Sequence, residues 1–236
     1  QYNKGRSPKA FRLGFRHFQV EIPSMQNKRI VVKIGTSTLA HPSGLLNIRQ
    51  VESLCKVLSD LKAGHELILV SSGAIGMGVG KLSLSRRPED MPTKQAAAAV
   101  GQCELMYTYD KLFSEYGHVV AQVLLSGDDI HDPQRSTNVK STITLLELHA
   151  LPILNENDAV STEEIGEHTT IGENDTLAAQ VAVTMGADLL VILSDINGLY
   201  TADPTHPEAT LITEIPSLTQ EIWALAGGAS SKLGTG

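Results

Sequence analysis

The 236 residues, 42% of them hydrophobic, suffice for one substantial globular domain, and no apolar run reaches the roughly 18–20 residues that a membrane-spanning helix needs. The net charge of −7 is uneven: five of the 19 basic residues but only Glu21 of the 26 acidic ones lie in residues 1–24. The remaining acidic body argues against general nucleic-acid binding.

Aromatic residues make up only 4%, so an aliphatic core of Val, Ile and Leu is expected, which suits α/β layers. Cys55 and Cys103 both fall in helical patterns and are expected as reduced, buried thiols, with no disulfide framework. The eight histidines offer no close pair at metal-ligand spacing, and no metal ligand is assigned.

In chain order, residues 1–24 form a basic leader directly before Met25, read as an extension or tag outside the fold. Residues 29–35, R-I-V-V-K-I-G, predict a central strand that delivers Lys33 near its end, followed by a Gly-Thr-Ser turn. A lysine inside an apolar run is costly unless partnered, so it marks a site; the competing reading is a lysine snorkelling at a sheet edge. Asn47 and Gln50 have capping-box spacing, and Val51, Leu54, Cys55, Leu58 and Leu61 follow at helical intervals up to Gly64. A second strand over 66–71 runs into S-S-G-A-I-G-M-G-V-G, a Gly-rich turn whose N–H groups can approach an anion. It matches neither the Walker loop nor the dinucleotide fingerprint, and alone it is weak.

A long helix is predicted over 93–116, with the alanines of 96–100 permitting close packing, and a third strand over 119–125. Asp128 and Asp129 read as a turn or cap. Another helix over 135–149 is expected to bury Leu145, Leu146 and Leu148. A fourth strand over 152–154 leads to N-E-N-D, a helix over 175–185 opens with Asn174 and Asp175, and a fifth, wholly apolar strand spans 188–194. A polar loop, S-D-I-N-G-L-Y-T-A-D-P, follows.

Strands alternating with helices predict a mostly parallel central sheet sandwiched between helices, with ligands beyond the carboxyl ends of the strands. Lys33, Gly35, Ser72 and Gly73 all lie just after or near strand ends, as do Asn155, Asp158, Ser194 and Asp195. The two Asn-Asp pairs, at 157–158 and 174–175, are 17 residues apart. Amides donate to carboxylates and carboxylates accept from ammonium groups, and an amino acid presents both. Each pair alone also fits an ordinary turn or N-cap.

A lysine, a glycine-rich cradle and a carboxylate suit phosphoryl transfer, which requires positioning and positive charge more than covalent chemistry. No G-x-S-x-G elbow is present, so Ser72 is a poor hydrolase nucleophile. A carboxylate acceptor is already ionised at neutral pH, so no histidine base is required.

The motifs V-V-K-I-G-T-S, S-S-G-A-I, N-E-N-D-A-V, G-E-N-D-T-L-A-A, L-S-D-I-N-G-L-Y-T-A-D-P and L-G-T-G together resemble the glutamate 5-kinase family of the amino acid kinase superfamily. The resemblance runs from about Lys28 to Gly236 and is closer to stand-alone bacterial enzymes than to bifunctional pyrroline-5-carboxylate synthase. It implies an αβα sandwich and ATP-dependent phosphorylation of the L-glutamate γ-carboxylate, the first step of proline biosynthesis. It further implies Mg with the ATP, possible feedback inhibition by proline, a cytoplasmic setting and a homodimer or homotetramer.

By resemblance, Lys33 and Asp175 are catalytic, Lys33 on the phosphates and Asp175 as organiser. Ser72, Asn155, Asp158 and Asn174 are assigned to glutamate, and Lys33, Gly35, Gly73, Ser194, Asp195, Thr235 and Gly236 to the nucleotide. The segment 161–171 is expected to act as a lid. Residues 25–236 are expected to be the kinase domain without its final part, because the family pattern continues after L-G-T-G with G-M-x-T-K and a second phosphate-stabilising lysine. No PUA domain is expected in this chain. The alternatives are another acid kinase, acting on aspartate, N-acetylglutamate or carbamate, and a truncated, non-catalytic binding module.

Overall fold

The computed structural model describes residues 28–41, 46–160 and 174–225. Its centre is β1, Arg29–Ile34, in which Ile30, Val31, Val32 and Ile34 are at most 3% exposed. Both faces of this strand are buried, which is why its sequence after Arg29 is apolar apart from Lys33 and does not alternate. On one side it pairs in parallel with β2, Glu66–Ser71, and on the other with β5, Leu189–Leu193. β2 pairs with β4, Leu151–Glu156, and β4 with β3, Val120–Leu125. The sheet order is therefore β3-β4-β2-β1-β5, with every pairing parallel.

Helices cover both faces, as predicted. Ile30, Val32 and Ile34 face the layer of α1 (Thr36–Leu39), α2 (Ile48–Lys62) and α4 (Met91–Ser114), against Leu54, Leu58, Leu105 and Tyr109. Val31, Ile68, Val70 and Leu154 face the opposite layer, built by α5 (Gly127–His131), α6 (Pro133–Glu147) and α7 (Asn174–Met185). Each fully buried aliphatic side chain stabilises this arrangement by roughly 1.5–3 kcal/mol. Local chemistry starts the helices: Asn47, Asp90 and Asp132 accept from the backbone N–H of Gln50, Thr93 and Arg135 at 3.3, 2.9 and 2.8 Å. Asp129 accepts from the N–H of Ser126 at 2.7 Å, which makes it the cap residue its sequence suggests.

The glycine-rich segment departs from its predicted form. Gly73, with φ of 104°, is the only turn glycine; Gly76, Gly78 and Gly80 lie inside α3, Ala74–Lys81. Of these, Gly78 serves helix contact. A Cβ on Gly78 would fall on the backbone of Ala97, and one on Gly101 would fall on the carbonyl of Ala74. The alanines at the start of α4 thus permit the close packing expected of them, with glycines as the other half of the contact.

Two further expectations are corrected. Leu145 and Leu148 are 66% and 68% exposed, and α6 instead buries Ile143 and Glu147. Glu147 takes a core-facing position because Arg29 reaches it, with Nη2 to Oε2 at 3.0 Å, so the carboxylate is paired. Cys103 is exposed, whereas Cys55 is buried and its thiol is pushed up to about 12 by burial. The wholly apolar β5 lies at an edge of the sheet among the described residues, with Ile192 46% exposed. Beyond it, Tyr200 and Leu211 form an antiparallel bridge, and α8, Gln220–Leu225, ends the described chain.

Candidate active site

The side chains of β1 alternate between the two layers, and Lys33 falls on the α7 side, two residues from Val31. There its Nζ lies 2.6 Å from Oδ1 of Asp175 in the first turn of α7. The lysine side chain is 11% exposed and the aspartate 37%, so the charge that interrupts the apolar strand is compensated by a half-buried partner. One residue earlier on α7, Asn174 donates Nδ2–H to Ser72 Oγ at 3.0 Å, immediately beyond β2. These two contacts join β1, β2 and the start of α7 at the carboxyl edge of the sheet.

Gly35 continues this edge from β1. Its N–H donates to the Leu193 carbonyl at 3.3 Å, which ties the turn to the end of β5. A Cβ at this position would lie 3.4 Å from Lys33 Nζ and 3.7 Å from Ser37 Oγ, so glycine leaves the ammonium open to an anion. Ser194 and Asp195 follow β5 and are exposed, with Ser194 donating to Asp195 Oδ1 at 3.2 Å. Thr235, Gly236 and the segment 161–171 lie outside the described residues.

The other Asn-Asp cluster has a different environment. Asn155 is 1% exposed and both ends of its amide are engaged: Nδ2 donates to Gln102 Oε1 at 2.8 Å, and Oδ1 accepts from the Glu156 N–H at 2.9 Å. It supports the loop from beneath. Asp158 and Glu156 line a cavity of about 410 Å³ that also takes in Ala74, Gln102, Gln122 and Cys103. The cavity lies between α4 and the ends of β3 and β4, and Ala74 brings it next to the Ser72–Gly73 turn.

Burial, and second the neighbouring Asp158 charge, push the Glu156 carboxyl up to about 7. Burial also raises Asp158, against the opposing pull of the Arg87 guanidinium. Glu156 is thus partly protonated near neutral pH, while Asp158 faces a cation from the loop before α4.

The edge therefore runs from Ser194 and Asp195 through Gly35 and Lys33 to Ser72 and Gly73, and ends at the cavity of Asp158. Lys33, Asp175, Ser72 and Asn174 are brought together, while Asn155 is drawn behind the surface. Sequence reading missed Gln102 and Gln122, which hydrogen-bond from Gln102 Nε2 to Gln122 Oε1 at 3.1 Å. The available signal was a glutamine on the α4 face that also carries Ala98, Leu105 and Tyr109, all buried.

Residues 28–235 match the amino acid kinase family. The chain is 51% identical over 213 residues to glutamate 5-kinase of Clostridium perfringens, covering 89% of this chain and 79% of the relative. It is 53% identical over 217 residues to glutamate 5-kinase of Listeria monocytogenes, covering 90% and 79%. Among solved structures, carbamate kinase from Giardia lamblia bound to AMP-PNP superposes with a TM-score of 0.53 at 16% identity, covering 78% of this chain and 76% of that one. The T. acidophilum isopentenyl phosphate kinase product complex does so with 0.53 at 19% identity, covering 78% of each. At such identities these two show the shared fold alone.

Proposed function

This chain belongs to the amino acid kinase family, and on that premise we propose that it phosphorylates the γ-carboxylate of L-glutamate with ATP, yielding L-glutamyl 5-phosphate and ADP. Relatives bearing the glutamate 5-kinase name at 51–53% identity support the choice of acceptor. The observation that carries the reading is the pair of contacts at the sheet edge, Lys33 to Asp175 and Asn174 to Ser72. They set a cation and an amide–hydroxyl pair side by side, as joining a phosphoryl donor to an amino-acid acceptor requires.

In this reading a γ-carboxylate oxygen bonds to the γ-phosphorus of ATP while the bond to the β,γ-bridging oxygen breaks, and ADP leaves with that electron pair. No proton moves, because the acceptor is already ionised. Lys33 stabilises the negative charge that spreads over the transferring group, with Asp175 holding its ammonium in place. Without a side chain at Gly35, the Lys33 ammonium stays accessible to a phosphate. Mg²⁺ entering with ATP would supply charge neutralisation at the phosphates.

Ser72 and Asn174 take one end of the glutamate and Asp158 its ammonium. Asn174 Oδ1, buried and without a hydrogen bond among the described residues, leaves a further acceptor at its own end of the site. Ser194, Asp195, Thr235 and Gly236 belong to the nucleotide end. Resemblance further supports a kinase domain over 25–236, a cytoplasmic homodimer or homotetramer, and proline as a feedback inhibitor. No helix among the described residues is long and apolar enough to cross a membrane.

An ADP-release assay on the full-length protein, run in parallel with L-glutamate, L-aspartate, N-acetylglutamate and carbamate, tests the proposal. Glutamate is expected to give the highest kcat/KM. Faster turnover of any of the other three would overturn the assignment.

A further inference from the structure

We infer that Gln102 is a positioning residue for the amino-acid acceptor, acting through Asn155 to place the turn that carries Asp158. The inference rests on the proposed glutamate phosphorylation and goes beyond it, since Gln102 lies on α4, outside every strand-end motif.

The geometry starts at the end of β4. Its pairing with β2 includes Leu154 opposite Val70, whereas its pairing with β3 continues to Glu156 opposite Leu125. The Glu156 N–H is taken instead by the Asn155 side chain, whose Oδ1 accepts it at 2.9 Å. This bond fixes the last peptide of β4 against the Asn155 side chain. The turn follows at once, with the Asn157 N–H donating to the Leu125 carbonyl at 2.9 Å and the Val160 N–H to the Asn157 carbonyl at 3.1 Å. Asp158 sits inside it.

Asn155 acts in this way only with its amide in one orientation. A flipped amide would turn Nδ2 toward the Glu156 N–H, donor against donor. Gln102 selects the orientation, because its Oε1 accepts from Asn155 Nδ2 at 2.8 Å. Gln102 is itself held by Gln122 on β3, through Nε2 to Oε1 at 3.1 Å, and is 9% exposed. The chain of amides thus links α4, β3 and β4.

The residue before it has a parallel role. Gly101 lies against the Ala74 carbonyl, just past the Ser72–Gly73 turn. Two consecutive residues of α4 therefore set the spacing between the two walls of the acceptor site, Ser72 on one side and Asp158 on the other.

The test uses the full-length protein, with wild-type turnover of glutamate measured first; absence of that turnover would count against the function, not against this role. Gln102→Met removes both hydrogen bonds at similar volume. It is expected to raise the KM for glutamate about tenfold, with the KM for ATP unchanged within about twofold. Gln102→Glu keeps an acceptor for Asn155 Nδ2 and is expected to stay within about threefold of the wild-type glutamate KM. An unchanged glutamate KM in Gln102→Met, or an equal rise for both substrates, overturns the inference. So does a tenfold rise in Gln102→Glu, which remains decisive should the methionine variant fail to fold. In an Asn155→Ala background, Gln102→Met is expected to add no further rise, and additive effects would show that Gln102 acts by another route.

Discussion

Lys33 Nζ and Asp175 Oδ1 lie 2.6 Å apart, across 142 positions of sequence, and join the end of the central strand to the first turn of α7. The pair accounts for a lysine among the apolar residues of the strand: the charge is stabilised by a partner that only the folded chain supplies. It also makes turnover depend on both residues in different ways.

Lys33→Ala is expected to lower kcat by about 10²–10³, the usual effect of removing one group that stabilises transition-state charge. The glutamate KM should stay within about threefold, because the lysine acts mostly as charge builds in the transition state. Asp175→Asn leaves the ammonium in place but unheld, so a smaller loss of kcat is expected. Steady-state kinetics on the two variants checks both, and a change confined to KM in Lys33→Ala would contradict the role.

Asp158→Ala is expected to weaken glutamate far more than ATP. A lost hydrogen bond to a charged group costs about 1.5–3 kcal/mol, so the glutamate KM should rise roughly 10- to 100-fold. The KM for ATP should be unaffected, since Asp158 lies in the cavity at the β4 end of the edge and the nucleotide residues lie by β1 and β5. Equal weakening of both substrates would show that the variant disturbs the whole edge.

Glu156 predicts a pH dependence of stability. Its carboxyl rises from 4.5 to about 7 in the fold, so between those values the folded protein keeps a proton that the unfolded chain has released. Stability therefore falls as pH rises through that window and levels off above it, with a loss from this one group on the order of 2 kcal/mol. Glu156→Gln should flatten the decline between about pH 5 and pH 8 in urea unfolding, relative to wild type. An identical slope in the two proteins would mean that the carboxyl ionises freely in the fold.

The contact between α3 and α4 predicts a steric effect. Gly101→Ala places a methyl group on the Ala74 carbonyl, and Gly78→Ala places one on the Ala97 backbone. Overpacking against backbone costs about 1–3 kcal/mol or more, which in a chain of this size lowers Tm by roughly 3–10 °C. Gly64→Ala is the control, since no atom lies within 4 Å of a Cβ there, and a change within about 0.5 kcal/mol is expected. Thermal unfolding of the three variants separates crowding from the general effect of replacing glycine, and equal Tm values would refute the contact.

Much of the fold is legible in the chain because parallel strands buried on both faces must be apolar without a break. Residues 67–70, all fully buried, advertise themselves in this way, and the first long helix is marked by Asn47 at its start. Burial was harder to read. Leu145 and Leu148 are apolar yet exposed, while Glu147 between them is buried, because Arg29 from a distant strand neutralises it. Periodicity alone carries no information about such a partner.

The candidate site divides in the same way. The order of motifs places Lys33, Ser72, Asp158 and Ser194 along one sheet edge, since each lies at or just past a parallel strand's end. That much is a consequence of local pattern and chain direction. Which of them touch is a property of the tertiary structure: Asn174 reaches Ser72 and Asp175 reaches Lys33, whereas Asn155 turns inward to Gln102. The physical reason is that hydrogen bonds and ion pairs of a few ångströms depend on how layers pack. The packing of α4 against α3 and β4 is set by glycines and amides whose partners lie 19 or more residues away.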